Sequence, residues 1–514
     1  MRQFINLAPV SRINRRDIIT MIGDEEVAER VNFMVLGTKE SRRNRKVPGA
    51  KRWTDNDTGD FYSSGYRYYT KGNIRKTFAF NNGLIYFVSD NGAETADTNP
   101  FAATAVPCWE SIRVSSNDVL YFSEGVNTGM YSHDGNLGNA WAKESAVTLN
   151  FVGMLGHLDR LFGFQEDSED LYFSKNLVPT NFTDSTDAGL ITIGPKRGSK
   201  IMAIALLYGT LYIFKQDSIW KLSGRSPAEF EVTEVHPTLG CAGRHSVANG
   251  NGGIFLLGSD LEYYFFQGTI DSTIKLTDKL LMAGDLTKNL SPLINPEKVD
   301  NCRAIFHNGI YICAFTKSGD TNNNHEYCFN TVNETDYITE GFHPAGYIKL
   351  DRNPDENYLL TCRRDIGHIM QRNFGLNTDS GESSPKMAFR LQTKAIGMVE
   401  PRNIRFKRAY FKDIEQLGAE PITCRYYVDS RTAVSDAGSD QWPIIGEQAT
   451  VIGSLKIAKQ KAITSRVNLD YGKAKGQNIS FAIDHEGSSI DFGFGSISLE
   501  CVVKSPKKSK VVGV

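Results

Sequence analysis

From Ile74 onward the chain repeats one unit: an apolar strand, a polar or glycine turn, an aromatic-rich returning strand and often a third strand behind it. The copies are FAFNNGLIYFVS from Phe78, IRVSSNDVLYFS from Ile112, GMLGHLDRLFGF from Gly153 and AIALLYGTLYIFKQDSIWKL from Ala203. SVANGNGGIFLLGSDLEYYFF from Ser246, AIFHNGIYICAF from Ala304 and YIKLDRNPDENYLLTCRRDIGHIMQR from Tyr347 follow. Their turns fall near Gly83, Asp118, Leu158, Gly209, Gly252, Gly309 and Glu356, a spacing of about 45 residues that matches propeller blades of three or four short strands. One such sheet cannot bury both faces alone, whereas a closed ring of sheets hides each face against a neighbour. The pattern therefore predicts an all-β protein whose main body is a β-propeller. Seven repeats are legible, and six to eight blades fit, because closure can borrow a strand from the N-terminal segment. A linear solenoid of hairpins is the alternative.

After Asn373 the rhythm stops at GLNTDSGESSPK, Gly375 to Lys386, a polar joint with the composition of an interdomain linker. Clean alternation then returns: Ile422, Cys424, Tyr426 and Val428; Val467, Leu469 and Tyr471; Ile479, Phe481 and Ile483; Ile497, Leu499, Cys501 and Val503. Strands with this period of two predict an antiparallel β-sandwich. Before the repeats, a helix is expected from Asp24 to Met34, followed by a basic run. The expected division is an N-terminal arm over 1–73, the propeller over 74–374, a linker over 375–394, the sandwich over 395–505 and a basic tail over 506–514.

Composition agrees with this picture. Of 514 residues, 40% are apolar and 11% aromatic, and 46 glycines supply turns between aromatic-rich strands. The 58 Lys and Arg against 59 Asp and Glu give a net charge of -1, which excludes a wholly basic nucleic-acid coat. The longest apolar stretch, Ile201 to Phe214, is broken by Gly209 and Thr210, so no membrane insertion is expected. Arg12, Arg15, Arg16 and Asp17 interrupt the N-terminus where a signal peptide needs an apolar region, and folding in a cytoplasm is expected. The eight cysteines contain no CxxC pair and read as buried free thiols.

Candidate chemistry is sparse. No G-x-S-x-G elbow occurs, and the nine histidines, His157, His236, His245, His307 and His343 among them, contain no H-x-x-x-H or H-E-x-x-H pair. Asp320, Asn322 and Asn324 have the spacing of a calcium loop without its glycine and later glutamate. Asp90, Glu124, Asp217 and Asp260 follow strands where a propeller glycosidase could set its carboxylates. Gly250, Gly252 and Gly253 lead into a strand, so they make a hairpin turn and no phosphate loop. Tyr62, Tyr66, Tyr68 and Tyr69, interleaved with Arg67 and Lys71, either fill the first blade or stack single-stranded bases. The basic residues Lys39, Arg42, Arg43, Arg45, Lys46, Lys51 and Arg52 form either a solvated arm or a strip facing nucleic acid or an acidic partner. No catalytic residue, metal or cofactor is expected.

The connecting phrases resemble those of bacteriophage tail nozzle and packaged-DNA stabilisation proteins, the propeller-bearing tail-tube proteins of short-tailed phages. Arg30-Val31-Asn32-Phe33 followed by Arg45-Lys46-Val47-Pro48-Gly49 is similar to that family's opening. Leu171 to Ser174 with Pro179, Asn181 and Phe182 resembles a later segment. Gly198 to Ile201, Leu211 to Lys215 and Ser218 to Trp220 resemble the next blade, and Gly240-Cys241 with Arg244, Ser246, Phe255-Leu256 and Gly268 the one after. The order holds over residues 30 to 270; residues 275 to 400 share only the hairpin rhythm. The resemblance implies a structural protein of the virion tail, not an enzyme, made in the host cytoplasm. It implies a homohexameric ring below the portal and its adaptor, which retains packaged double-stranded DNA, conducts it at ejection and carries fibres or a terminal plug. On this reading the basic run grips the adaptor. The alternatives are a carbohydrate-binding propeller or glycoside hydrolase, and a receptor-binding or fibre-adaptor tail protein.

Overall fold

The computed structural model describes, with short breaks, residues 61–277 and 293–372, the stretch 50–54, and individual strands within 2–46 and 389–503. Each of the seven repeats read from the sequence is one sheet. Their first strands are Tyr62–Tyr69, Cys108–Val114, Phe151–His157, Ile201–Leu207, Ala248–Gly250, Arg303–His307 and Pro344–Asp351. Each first strand touches the first strands of the blades before and after it, and Pro344–Asp351 returns to Tyr62–Tyr69, so the ring is closed. The chain is a seven-bladed propeller. Several blades turn from first to second strand through two left-handed residues, as at Tyr208-Gly209 (φ 50° and 76°) and Asn308-Gly309 (φ 47° and 77°), the turn whose twist suits antiparallel strands.

Blade 7 has three strands in sequence order and takes its fourth from the N-terminus. Ala50–Arg52 lies antiparallel to Ile369–Arg372, with Ala50 opposite Arg372. The clasp continues past the strand: Trp53 N–H donates to the Ile369 carbonyl at 2.8 Å, and the buried Thr54 hydroxyl accepts the Ile369 N–H at 3.1 Å. At the same seam Gly65 of blade 1 faces Ile348 of blade 7 so closely that a Cβ would stand 2.2 Å from its Cδ1. Only glycine admits that approach without repacking.

The other described N-terminal strands belong to the C-terminal sandwich. One of its sheets continues from blade 6: Thr335–Glu340 pairs in parallel with Val27–Val31 at Ile338 and Val31. Phe389–Thr393, Asn478–His485, Ile422–Val428 and Thr450–Leu455 follow in that order. The other sheet runs Arg2–Leu7, Ser496–Val503, Ile404–Leu417, Asp491–Phe494, Arg43–Lys46 and Phe33–Leu36, with Ile463–Asn468 also on Ile404–Leu417. Leu391, Ile479, Phe481 and Ile483 from the first sheet and Ala409, Phe494, Ile497, Leu499 and Cys501 from the second are buried together. The sandwich expected from the alternation is present, built from both ends of the chain.

Three expectations change. Asp24 to Met34 contains no helix in its described part; Val27–Val31 and Phe33–Leu36 are strands, because partners on both sides offer Val27–Val31 a ladder that outweighs a weak helical propensity. The first blade begins at Tyr62, inside the segment assigned to the arm. Phe389–Thr393, expected in the linker, is a sandwich strand; Gly375 to Lys386 and the tail 506–514 lie outside the described residues. Among the described residues the only helical pieces are the short turns Pro227–Glu229 and Pro296–Asn301, and no helix is long and apolar enough to cross a membrane.

Candidate functional site

The seven first strands surround an axial cavity of about 400 Å³ lined by residues from every blade. Its walls are held by bonds between neighbouring blades. Trp109 Nε1 donates to Ser64 Oγ at 3.1 Å, Tyr66 and Ser111 share a hydroxyl bond at 3.1 Å, and Asn249 Nδ2 donates to the Leu206 carbonyl at 2.7 Å. Tyr66 and Trp109 stack with an interplanar angle of 16°, giving one side an aromatic surface. Tyr66 therefore fills the first blade and lines the cavity, while Tyr62 and Tyr68 are buried within the blade.

First strands in a ring run in one direction, so their leading residues gather at one mouth. Blades 5 and 6 place Arg244, His245 and Arg303 there, and the Ala304 N–H donates to the His245 carbonyl at 2.7 Å, fixing the two blades in register. Burial, then the charges of Arg303 and Arg244, hold His245 well below its usual pKa and so neutral. Burial also brings Arg303 down to about 10. Arg244 reaches Glu166 of blade 3 as an ion pair.

Glu110, on the first strand of blade 2, accepts the Gly156 N–H of blade 3 at 3.0 Å. Burial raises its pKa from the ordinary 4.5 to about 7, against the lowering pull of that bond. Folded Glu110 thus keeps its proton across a window in which the unfolded carboxyl has lost it, and stability falls as pH rises from about 4.5 through 7. Glu110→Gln keeps the acceptor and removes the charge. The variant should melt like the parent at pH 4 and be more stable by about 1–3 kcal/mol at pH 8; equal melting at both pH values would show that Glu110 is ordinarily solvated.

The residues singled out from the sequence do not converge. Asp90 pairs with buried Arg67 at 2.8 Å. Glu124 accepts from Ala102 N–H at 3.0 Å and Asn127 at 2.8 Å. Asp217 holds Ser199 and Ser218, and Asp260 holds Tyr264 and Lys275. None of the four lines the cavity. Asp320 and Asn324 are already satisfied, Asn324 Nδ2 donating to Asp320 Oδ2 and Asn295 Nδ2 to the Asp320 carbonyl at 3.0 Å. No cluster of His, Cys, Asp or Glu able to hold a metal is found among the described residues. The seven described cysteines are buried and unpaired, and burial pushes Cys108, Cys241 and Cys362 up to about 12, the condition of an inert thiol.

The basic run is divided. Arg43, Arg45 and Lys46 lie on a sandwich strand paired on both sides. Lys51 and Arg52 lie on the strand that closes blade 7, where Arg52 is exposed and its Nε donates to the Thr54 carbonyl at 2.7 Å. Lys39 and Arg42 lie outside the described residues. Sequence reasoning missed Glu110 and Arg303, took His245 for an isolated structural histidine, and used Arg244 only as part of a phrase. No single repeat shows them together: Arg244 and His245 precede the first strand of blade 5, and Arg303 opens that of blade 6.

No family model matches the chain, and no curated protein matches it. Among solved structures, a streptogramin B lyase and the selenomethionine-substituted virginiamycin B lyase from Staphylococcus aureus each share 12% identity at a TM-score of 0.39, covering 66% of this chain and 98% of theirs. PorZ, a surface component of the type-IX secretion system of Porphyromonas gingivalis, shares 11% at 0.36 over 68% of this chain and 43% of its own. At these values nothing about activity or partners passes from them, and the architecture rests on the chain's own pairing: a seven-bladed propeller clasped by its N-terminus and joined to a sandwich made from both chain ends.

Proposed function

We propose that the chain is a structural virion protein, a tail nozzle or tail-tube subunit that forms a six-membered ring below the portal adaptor and conducts packaged DNA. The observation that carries this reading is the union of propeller and sandwich. A strand from the N-terminal segment bridges blade 6 to a sandwich sheet, and the next described N-terminal strands return to the sandwich before the chain clasps blade 7. Such a body has little freedom to hinge, as a wedge in a pressurised ring must not. Of the phrases that resemble the family, the later ones occupy blades 3, 4 and 5. The near-neutral chain also suits a tube that must not grip phosphates as DNA slides past.

In this reading the basic segment meets the adaptor through Arg42, Arg43, Arg45 and Lys46, while Lys51 and Arg52 serve the clasp. Reversing charge at Arg42, Arg43 and Arg45 should abolish co-sedimentation with the connector, and unchanged attachment would remove the assignment. The stacked aromatics in the cavity favour, as a second reading, a carbohydrate-binding propeller; turnover or saturable binding of a neutral glycan would support it.

A further inference from the structure

We propose that the axial cavity of the propeller binds a small oxyanionic ligand, a carboxylate or phosphate on a compact organic body, at the mouth lined by Arg303 and Arg244, with Arg364 beside it. The inference is independent of the ring assembly: a cavity of about 400 Å³ has the size of a small-molecule pocket and cannot pass a duplex.

Neither Arg303 at this mouth nor Arg364 beside it forms an ion pair among the described residues, and the Asp300 carboxylate offsets the charge of Arg303 only through space. Arg303 is anchored through Nη1 alone, which donates to the main-chain carbonyls of Asp300 at 2.8 Å and Cys302 at 2.7 Å. Among the described residues its Nη2 and Nε find no acceptor and it forms no ion pair. Arg364, on the turn between the second and third strands of blade 7, lies near enough to Arg303 for their charges to repel. Its guanidinium rests over the Phe61 ring at 5.1 Å and likewise has no carboxylate partner among the described residues. Arg244 is paired through Nη2 with Glu166, yet its Nε is buried without an acceptor. Like charges brought together in a desolvated site cost free energy unless an anion joins them. The planar fork of arginine suits the paired oxygens of a carboxylate or phosphate. The neutral His245 beside them adds a polar ring without adding charge, and the stacked Tyr66 and Trp109 on the wall offer the organic body an apolar face.

The test is calorimetric titration of the full chain with inorganic phosphate and, separately, with glucuronate, ionic strength being held constant with chloride. The expected result is saturable binding at one site, weakened at least tenfold by Arg303→Gln and by Arg364→Gln. Arg113→Gln, which removes an exposed arginine paired with Asp118 outside the cavity, should bind like the parent. Tighter binding of phosphate would identify a phosphate ester as the ligand class, and tighter binding of glucuronate an acidic sugar. Arg364→Gln, on a surface turn, keeps the question open to measurement if Arg303→Gln fails to fold. Absence of saturable binding by the parent chain, or equal affinity in all three variants, would overturn the proposal.

Discussion

Replacing Arg372 by methionine is expected to cost about 3–5 kcal/mol, because it strands a buried carboxylate. Glu326 of blade 6 and Arg372 of blade 7 are ion-paired with side chains 2% and 5% exposed. Around them Tyr347 donates to Glu326 Oε1 at 2.6 Å and Thr339 donates to Oε2. Arg372 Nε donates to Thr361 at 2.9 Å, and the guanidinium covers the Phe342 ring. Without the arginine, Glu326 retains two neutral donors and no counter-charge. The double variant Arg372→Met, Glu326→Met removes both charges and should return to within about 2 kcal/mol of the parent, since a buried pair repays its desolvation only narrowly. Urea unfolding midpoints at an unchanged slope would measure both. A loss below about 1 kcal/mol for Arg372→Met alone would show that water reaches the seam.

The second large effect concerns the clasp. Trimming residues 1–46 removes strands from both sandwich sheets and leaves Ala50–Arg52 in place; trimming 1–52 also bares the edge of Ile369–Arg372. Amide exchange over 357–372 should be at least about a hundredfold faster in the shorter chain than in the longer one, since an outer strand held the local opening energy of that sheet. The blades opposite, 151–236, should exchange alike in the two. Equal protection of 357–372 would mean that the ring closes through its inner strands alone.

Local pattern made the seven blades legible, because each hairpin carries its own alternation and turn chemistry. What failed locally was read as arm. Tyr62–Tyr69 contains Ser63-Ser64-Gly65, which carries no apolar alternation, yet Gly65 is small there because Ile348 arrives from the far end of the propeller. Ala50-Lys51-Arg52 reads as a basic run, and only its pairing with Ile369–Arg372 turns it into a strand. The register of Arg2 with Val502 joins the two ends of the chain, so no window of sequence contains it. The cavity was illegible for the same reason: Arg244, Arg303 and Arg364 come from three different repeats and approach one another only after the ring closes. Glu110 looked like one acid among 59 Asp and Glu until burial between two blades set it apart.

The central proposal, a ring subunit of a virion tail, is tested most directly by the copy number and position of this chain in purified particles, from labelled-peptide mass spectrometry and symmetry-averaged electron micrographs. Six copies in a ring on the tail axis, directly below the connector, is the predicted result. Three copies at the periphery, or a compact monomer absent from every particle, would contradict it.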